Sequence, residues 1–374
     1  MRTANARHTK DFSSILAWLG GADRLEAEAR ETGAYQRARE VKCAVDMLRI
    51  VLAYCLGPDG LRLTAAWAEA MGLASISNVA VLKRVRRSVP WLEALVARML
   101  VATAPPLPPR VRALTGARPI RLVDATVVTK ADRASREAGG VWRVHCVWNL
   151  VDERFSAFEL TDEKEGEHFD RAVVIAGEIR IGDRAYLQPE RIATVMAAGG
   201  DVIVRAPWNG ARWVDAKGVG VDLVALLATA KKTVTIIDRP IWMATAGGRV
   251  AVRLVALRKP HEAVGKSLKK VIAEATRRGT TPQPGTIFAA EWLILVTSLA
   301  KAEYPATAIG DLYRLRWRIE IAFKHLKSGV GLCPPPGPDP DVAKAHILSH
   351  LLIGLLTEPL VREQLGDSPR LAAA

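Results

Sequence analysis

Three acidic residues stand where chemistry could gather them. Asp124 follows the short apolar run "IRLV", Asp183 follows "IRIG", and Glu320 sits inside "YRLRWRIEIAFKHLKSGVG", residues 313–331. Carboxylates sharing one site repel each other unless a hard cation neutralises them. Mg2+ takes oxygen ligands, keeps several waters, and suits two or three carboxylates together with a substrate phosphate. Two such ions can clamp an in-line displacement at phosphorus, one at the attacking oxygen and one at the leaving oxygen. Each acid also has a plainer reading. Strand-end aspartates cap turns, and a glutamate on a basic helix makes surface ion pairs.

The helical pattern of residues 313–331 sets Glu320 among cations. At about 100° per residue, Leu315, Ile319, Ala322, Phe323, Leu326 and Val330 form one apolar stripe. Tyr313, Arg316, Glu320, Lys324 and Lys327 form a second, separate stripe. A solvated face laced with intrahelical ion pairs has the same pattern, so this helix alone does not decide between the readings.

The elements that must position these residues lie mostly after residue 118. "PIRLVDATVV" reads as a buried strand holding Asp124, and "VWRVHCVWNL" with "RFSAFELTD" as a hairpin of two more. "EHFDRAVVIAG" reads as a helix, "EIRIGDRAY" as a strand running into Asp183, "QPERIATVMAAGG" as a helix and "DVIVRAP" as a strand. This order describes an α/β core whose first three strands pair antiparallel, with parallel crossovers added later. In such sheets polar residues at strand ends line the crevice where ligands bind. Residues from about 207 to 300 are more strand-like ("KTVTIID", "RVAVRLVALRK", "EWLILVTSL"), with a basic helix near "VGKSLKKVIAEATRR", and read as an insertion.

Residues 1–103 are almost strand-free. "VKCAVDMLRIVLAYCLG" is spaced as a buried helix, and residues 61–87 as two helices around a turn, the second ending in Lys83, Arg84, Arg86 and Arg87. This is the pattern of a helix-turn-helix laying a basic helix on DNA, and equally of a helical hairpin with a solvated end. Pro-rich residues 104–118 read as a linker, 119–331 as the core with its insertion, and 332–374 as a tail with a helix.

The composition bounds the partners. A formal charge of +14 and a pI near 9.9 point to a polyanion such as nucleic acid, although an Arg-rich proteome would raise them too. "HILSHLLIGLL" is too short to cross a bilayer, and the N-terminus lacks the apolar stretch of a signal peptide. Four scattered cysteines without a C-x-x-C pair fit a reducing cytoplasm.

The spacing Tyr313, Arg316, Glu320, Lys327 resembles the Y-R-E-K signature of DDE transposases of the insertion sequence 4 family. "VDAT" at Asp124, "GDRAY" at Asp183, "WRVHCVWNL" and "FELTDEKEGEHF" are similar to the same family's acidic motifs and the segment between them. The resemblance covers residues from about 60 to 331. It implies an RNase H-like mixed-sheet core with a β-rich insertion, behind an all-helical N-terminal domain. It implies Asp124, Asp183 and Glu320 as catalytic ligands of two Mg2+ or Mn2+ ions. The activity implied is cut-and-paste transposition: hydrolysis at the element's ends, then attack of the freed 3′-hydroxyl on the opposite strand or target. Tyr313, Arg316, Lys324 and Lys327 become contacts to the DNA backbone. Trp292 in "EWLILVTSL" becomes a candidate platform for an extruded base, with a core position as its equal alternative. The implied partners are double-stranded DNA, as terminal inverted repeats and target, and a second copy of the chain in a synaptic homodimer; the implied place is the bacterial cytoplasm and nucleoid. A non-catalytic DNA-binding descendant and a nuclease without strand transfer are the rival readings.

Overall fold

The computed structural model describes residues 12–103, 109–116, 118–129, 141–150, 154–162, 165–231, 233–317 and 339–364. Nine strands form one sheet in the order β3-β2-β1-β4-β5-β9-β8-β7-β6. They are β1 (Ile120–Thr129), β2 (Val141–Asn149), β3 (Arg154–Asp162), β4 (Ile179–Gly182), β5 (Asp201–Arg205), β6 (Trp213–Val214), β7 (Ile236–Thr245), β8 (Gly248–Arg258) and β9 (Trp292–Thr297). β1, β4 and β5 run parallel, while β2 and β3 form the antiparallel hairpin expected from their sequence. The 3-2-1-4-5 half of the sheet is the RNase H-like core.

The insertion between residues 207 and 300 is strand-rich, and its strands continue the same sheet. β9 pairs antiparallel with β5, and β8, β7 and β6 follow outward. Thr297 and Ser298 fasten the join: the Thr297 hydroxyl donates to the Val202 carbonyl at 2.7 Å, and the Ser298 hydroxyl to Asp201 at 2.6 Å. Further out, Arg253 on β8 grips Asp238 on β7 through two bonds of 2.6 and 2.9 Å.

Helices α1 (Ala22–Glu31), α2 (Ala44–Leu56), α3 (Leu61–Ala70), α4 (Asn78–Arg87) and α5 (Val89–Thr103) build the N-terminal region. α2 buries Ala44, Met47, Leu48, Val51, Leu52 and Cys55, the i, i+3, i+4 stripe of a core helix, and Gly57 is its C-cap. Ser77 caps α4 by accepting the Ala80 N–H at 3.2 Å. Within the expected linker, Pro109–Thr115 forms a short helix, α6. The C-terminal region is more than a tail. Its 25-residue helix α12 (Pro340–Gln364) buries Ile347, Leu348, Leu351, Leu352 and Leu355 against the N-terminal helices. One apolar core therefore runs from α1 through α5 and α12 onto one face of β1, β2, β3 and β4. A second core covers the opposite face beneath α7 (Pro189–Ala197) and α8 (Leu223–Ala228).

Two expected helices differ. "EHFDRAVVIAG", residues 167–177, is a loop. The buried guanidinium of Arg180 takes the carbonyls of Phe169, Ala172 and Val173, and Arg121 takes Val173 as well, at 2.8 Å. Those carbonyls would otherwise accept helical N–H groups, so the arginines substitute for the helix. Glu178, fully buried, balances both cations, 3.0 Å from Arg121 and paired with Arg180. The second difference lies at residues 315–316, inside the expected helix that starts at Tyr313. Helix α11 (Ala306–Arg314) ends there, Leu315 and Arg316 bond back to Leu312 and Tyr313 in a tighter turn, and helical geometry resumes only at Trp317. Glu320, Lys324 and Lys327 lie outside the described residues.

Candidate functional site

Asp124 lies within β1 and Asp183 directly after β4, and the strand register brings them side by side. Ile120 pairs with Ile179 and Leu122 with Ile181. Continued two residues past Leu122 and Ile181, this register would set Asp124 level with Asp183, which lies one residue past the end of β4. Neighbouring strands are about 4.8 Å apart, a separation that two carboxylates around a shared cation require. Side-chain alternation puts both on the face where Ile120, Leu122, Ile179 and Ile181 meet the helical core. Val123 and Gly182 face the other way, toward Phe169 and Tyr186.

Both aspartates are half-buried. Asp183 is extended (φ −81°, ψ −169°) and caps the single 3-10 turn Arg184–Tyr186, its Oδ1 accepting the Ala185 N–H at 2.8 Å. The turn-capping reading is therefore true of Asp183 and still leaves Oδ2 without a hydrogen bond among the described residues. Tyr186 registers the charge of both acids. Burial pushes its hydroxyl well above the ordinary range, and Glu167, Asp124 and Asp183 push it further. Glu167 is an acid that sequence reasoning misses, because the pattern of "EHFDRAVVIAG" sets it at the start of a helix that does not form. Burial raises its carboxyl and Asp183 adds to the rise, while Arg143, 3.7 Å away, opposes it. Among the described residues no set of three His, Cys, Asp or Glu side chains forms a metal cluster.

Cations border the pair. Tyr313 is buried near the end of α11, and the Arg316 guanidinium lies 5.5 Å from its ring centre. Burial raises the Tyr313 hydroxyl, Arg316 and Arg205 draw it down, and Asp183 raises it. Tyr313 thus sits within the fields of both Asp183 and the two arginines. Arg205 is the second residue that sequence reasoning missed. It ends β5, is exposed, and, since Gly182 pairs with Val204, stands level with Asp183 one strand over. "DVIVRAP" showed an arginine closing a buried strand, but its register with Asp183 is a property of the sheet.

Trp292 occupies the core position that its sequence left open. It is 2% exposed, packs with Ile294 and Val296, and the Arg258 guanidinium covers its ring at 4.4 Å. It presents no free face for a base to stack on in this structure. Of the helix-turn-helix cations, Lys83 and Arg87 are exposed, whereas Arg86 is bound to Asp339, the residue leading into α12.

A 3-2-1-4-5 sheet with Asp124 and Asp183 on the neighbouring segments of β1 and β4 has the arrangement of an RNase H-like core. The comparisons with known proteins are narrower. The transposase DDE domain family matches residues 115–352. The chain is 36% identical over 369 residues to the putative transposase InsL for insertion sequence element IS186A of Escherichia coli (strain K12), covering 97% of each chain. It is also 36% identical over 372 residues to the transposase for insertion sequence element IS421 of Escherichia coli, again 97% of each. The chain belongs to the DDE transposase family. It is a DNA transposase, an enzyme class that works with divalent metal. No helix among the described residues is long and apolar enough to cross a membrane.

Proposed function

We propose that this transposase excises and inserts its element by cut-and-paste chemistry, with Asp124, Asp183 and Glu320 as its catalytic carboxylates. The observation that supports the reading is the parallel register of β1 and β4, in which Asp124 stands two residues past Leu122 and Asp183 two residues past its partner Ile181. Glu320 enters the set from the sequence, as the glutamate of the Y-R-E-K spacing four residues after Arg316. The donor set fits a hard divalent cation: carboxylate oxygens only, half-buried, next to arginines that would repel a metal unless the acids outweighed them. Two Mg2+ or Mn2+ ions held there would supply charge stabilisation at the attacking and leaving oxygens.

The chain's own groups do the rest. Arg316 and Arg205 hold the phosphate backbone against the acids, where their positive charge meets charge developing on phosphorus-bound oxygens. The Tyr313 hydroxyl, kept protonated by burial, donates to a phosphate oxygen rather than competing for metal. Lys324 and Lys327 extend this grip along the strand, and the N-terminal helices with exposed Lys83 and Arg87 read the terminal inverted repeats. Two copies of the chain pair the ends in a synaptic complex, in the cytoplasm.

The test is cleavage of a duplex carrying the element's end, with Mg2+ present. Wild type yields nicked ends and then joined products. Asp183→Asn and Asp124→Asn bind the same duplex and yield neither. Cutting by Asp183→Asn at the wild-type rate refutes the assignment. Nicks without joined products identify a nuclease instead.

A further inference from the structure

Beyond the border of the aspartate pair, the insertion carries a cluster of cations with no acid among them. Lys259 follows β8, half-buried, and its amine donates to the Ser267 hydroxyl and the Ala290 carbonyl, each at 2.9 Å. Ser267 lies on α9 (His261–Arg277), and Ala290 follows the short helix α10 (Pro284–Ala289). Arg205 and Lys270 are near enough to lower the basicity of the Lys259 amine, which burial alone already pulls down, the three together bringing it to about 8. Arg205 and Lys270 are exposed. Among the described residues, neither they nor Lys259 makes an ion pair: Glu291 engages Arg258, and Glu274 engages Arg277 and Arg278.

A lysine that only pinned α9 to the sheet would gain nothing from two cationic neighbours, because like charges raise the cost of burying it. A uniform cluster of this kind is stabilised when an anion enters. We propose that Lys259 and Lys270, continuing the charge of Arg205, form a second phosphate site that grips the DNA backbone away from the cut. The inference rests on the transposase reading above, which supplies DNA as the polyanion.

The sheet says where this site lies. Leu257 meets the same core as Asp183's face, so alternation puts Lys259 on that face too. β8 runs parallel to β4 and β5, with Val255 level with Leu295 and so with Arg205. Lys259 is therefore four residues further toward the carboxyl ends, about 13 Å along the strands, and three strands across, about 14 Å. At the backbone the two sites are roughly 20 Å apart, on the order of six base-pair steps of duplex. α9 extends the positive face. It buries no residue and carries Lys266, Lys269 and Lys270 in one exposed stretch.

The experiment measures binding of a random-sequence DNA duplex, without metal, by protein carrying Asp183→Asn. Cleavage is then absent by design, so failure of the catalytic reading leaves this result untouched. At pH 7, Lys259→Met and Lys270→Gln should each reduce the slope of log affinity against log salt by about 1. At pH 9.5 the wild-type slope should fall toward that of Lys259→Met, whereas Lys259→Arg should keep the neutral-pH slope. A role confined to pinning α9 predicts no such pH split. Unchanged slopes for both variants overturn the proposal. If Lys259→Met does not fold, Lys270→Gln, at an exposed position, decides by the same criterion.

Discussion

Gly182→Ala is the sharpest probe of how the fold aims Asp183. Gly182 ends β4, and a Cβ there would lie 2.8 Å from Phe169 Cζ, 2.9 Å from Phe169 Cε1 and 2.9 Å from Tyr186 Cβ. These are closer than carbon atoms approach, and two come from a ring that is itself fully buried and packed on Tyr186 at 5.1 Å between ring centres. Overpacking a tight core costs about 1–3 kcal/mol. Replacing a strand glycine returns about 0.5–1 kcal/mol by narrowing the unfolded ensemble. The net is a loss of up to about 2.5 kcal/mol, or a fall of up to roughly 10 °C in melting temperature. The larger effect is on chemistry. Either Phe169 yields, moving the loop that carries Glu167, or β4 yields and moves Asp183, the next residue. A displacement near 1 Å costs on the order of 100-fold in rate. Phe169→Leu opens the same space, so the double variant should recover part of both losses, with a coupling of about 0.5–3 kcal/mol. Thermal melts and end-cleavage rates on the four proteins complete the cycle. A Gly182→Ala protein that melts and cleaves like wild type would refute the packing argument.

Glu178→Gln should be among the most damaging surface-neutral changes. It leaves the buried Arg121 and Arg180 without a counter-charge, at a cost of about 3–5 kcal/mol, and frees residues 167–177 for proteolysis. A urea titration showing a loss below about 1 kcal/mol would contradict this. His145 should make the protein acid-sensitive. The ring is 3% exposed, with Nε2 2.8 Å from the Thr161 hydroxyl, and burial, then Arg171, Arg143 and His168, push its pKa down to about 4. Between that value and about 6.5 the unfolded chain takes up a proton that the folded chain refuses, so stability is complete above this window. It falls as pH drops through the window, by up to about 3 kcal/mol, and His145→Gln should flatten the profile. Equal slopes for both proteins would remove His145 as the cause.

Much of the molecule is legible without coordinates. Periodicity fixes α2 and the strands β1 to β5, because side chains that must be buried recur every second or every third and fourth residue. The Y-R-E-K spacing and the two aspartates mark the family, because a metal and a phosphate demand particular groups in a particular order. What periodicity could not see were the competing claims on backbone carbonyls. Residues 167–177 have helical spacing, yet Arg180 and Arg121, distant along the strands, take the carbonyls that a helix would use. Nor could a helical wheel foresee the tighter turn at Leu315 and Arg316. Trp292 looked equally suited to stacking and to packing, and only its place between Arg258 and the second core made it a packing residue. The residue types of the site are thus a matter of sequence. Their company is a matter of register: Asp124 one strand from Asp183, Arg205 one strand beyond Asp183, and Lys259 further along the same face depend on which strands pair, and with what offset.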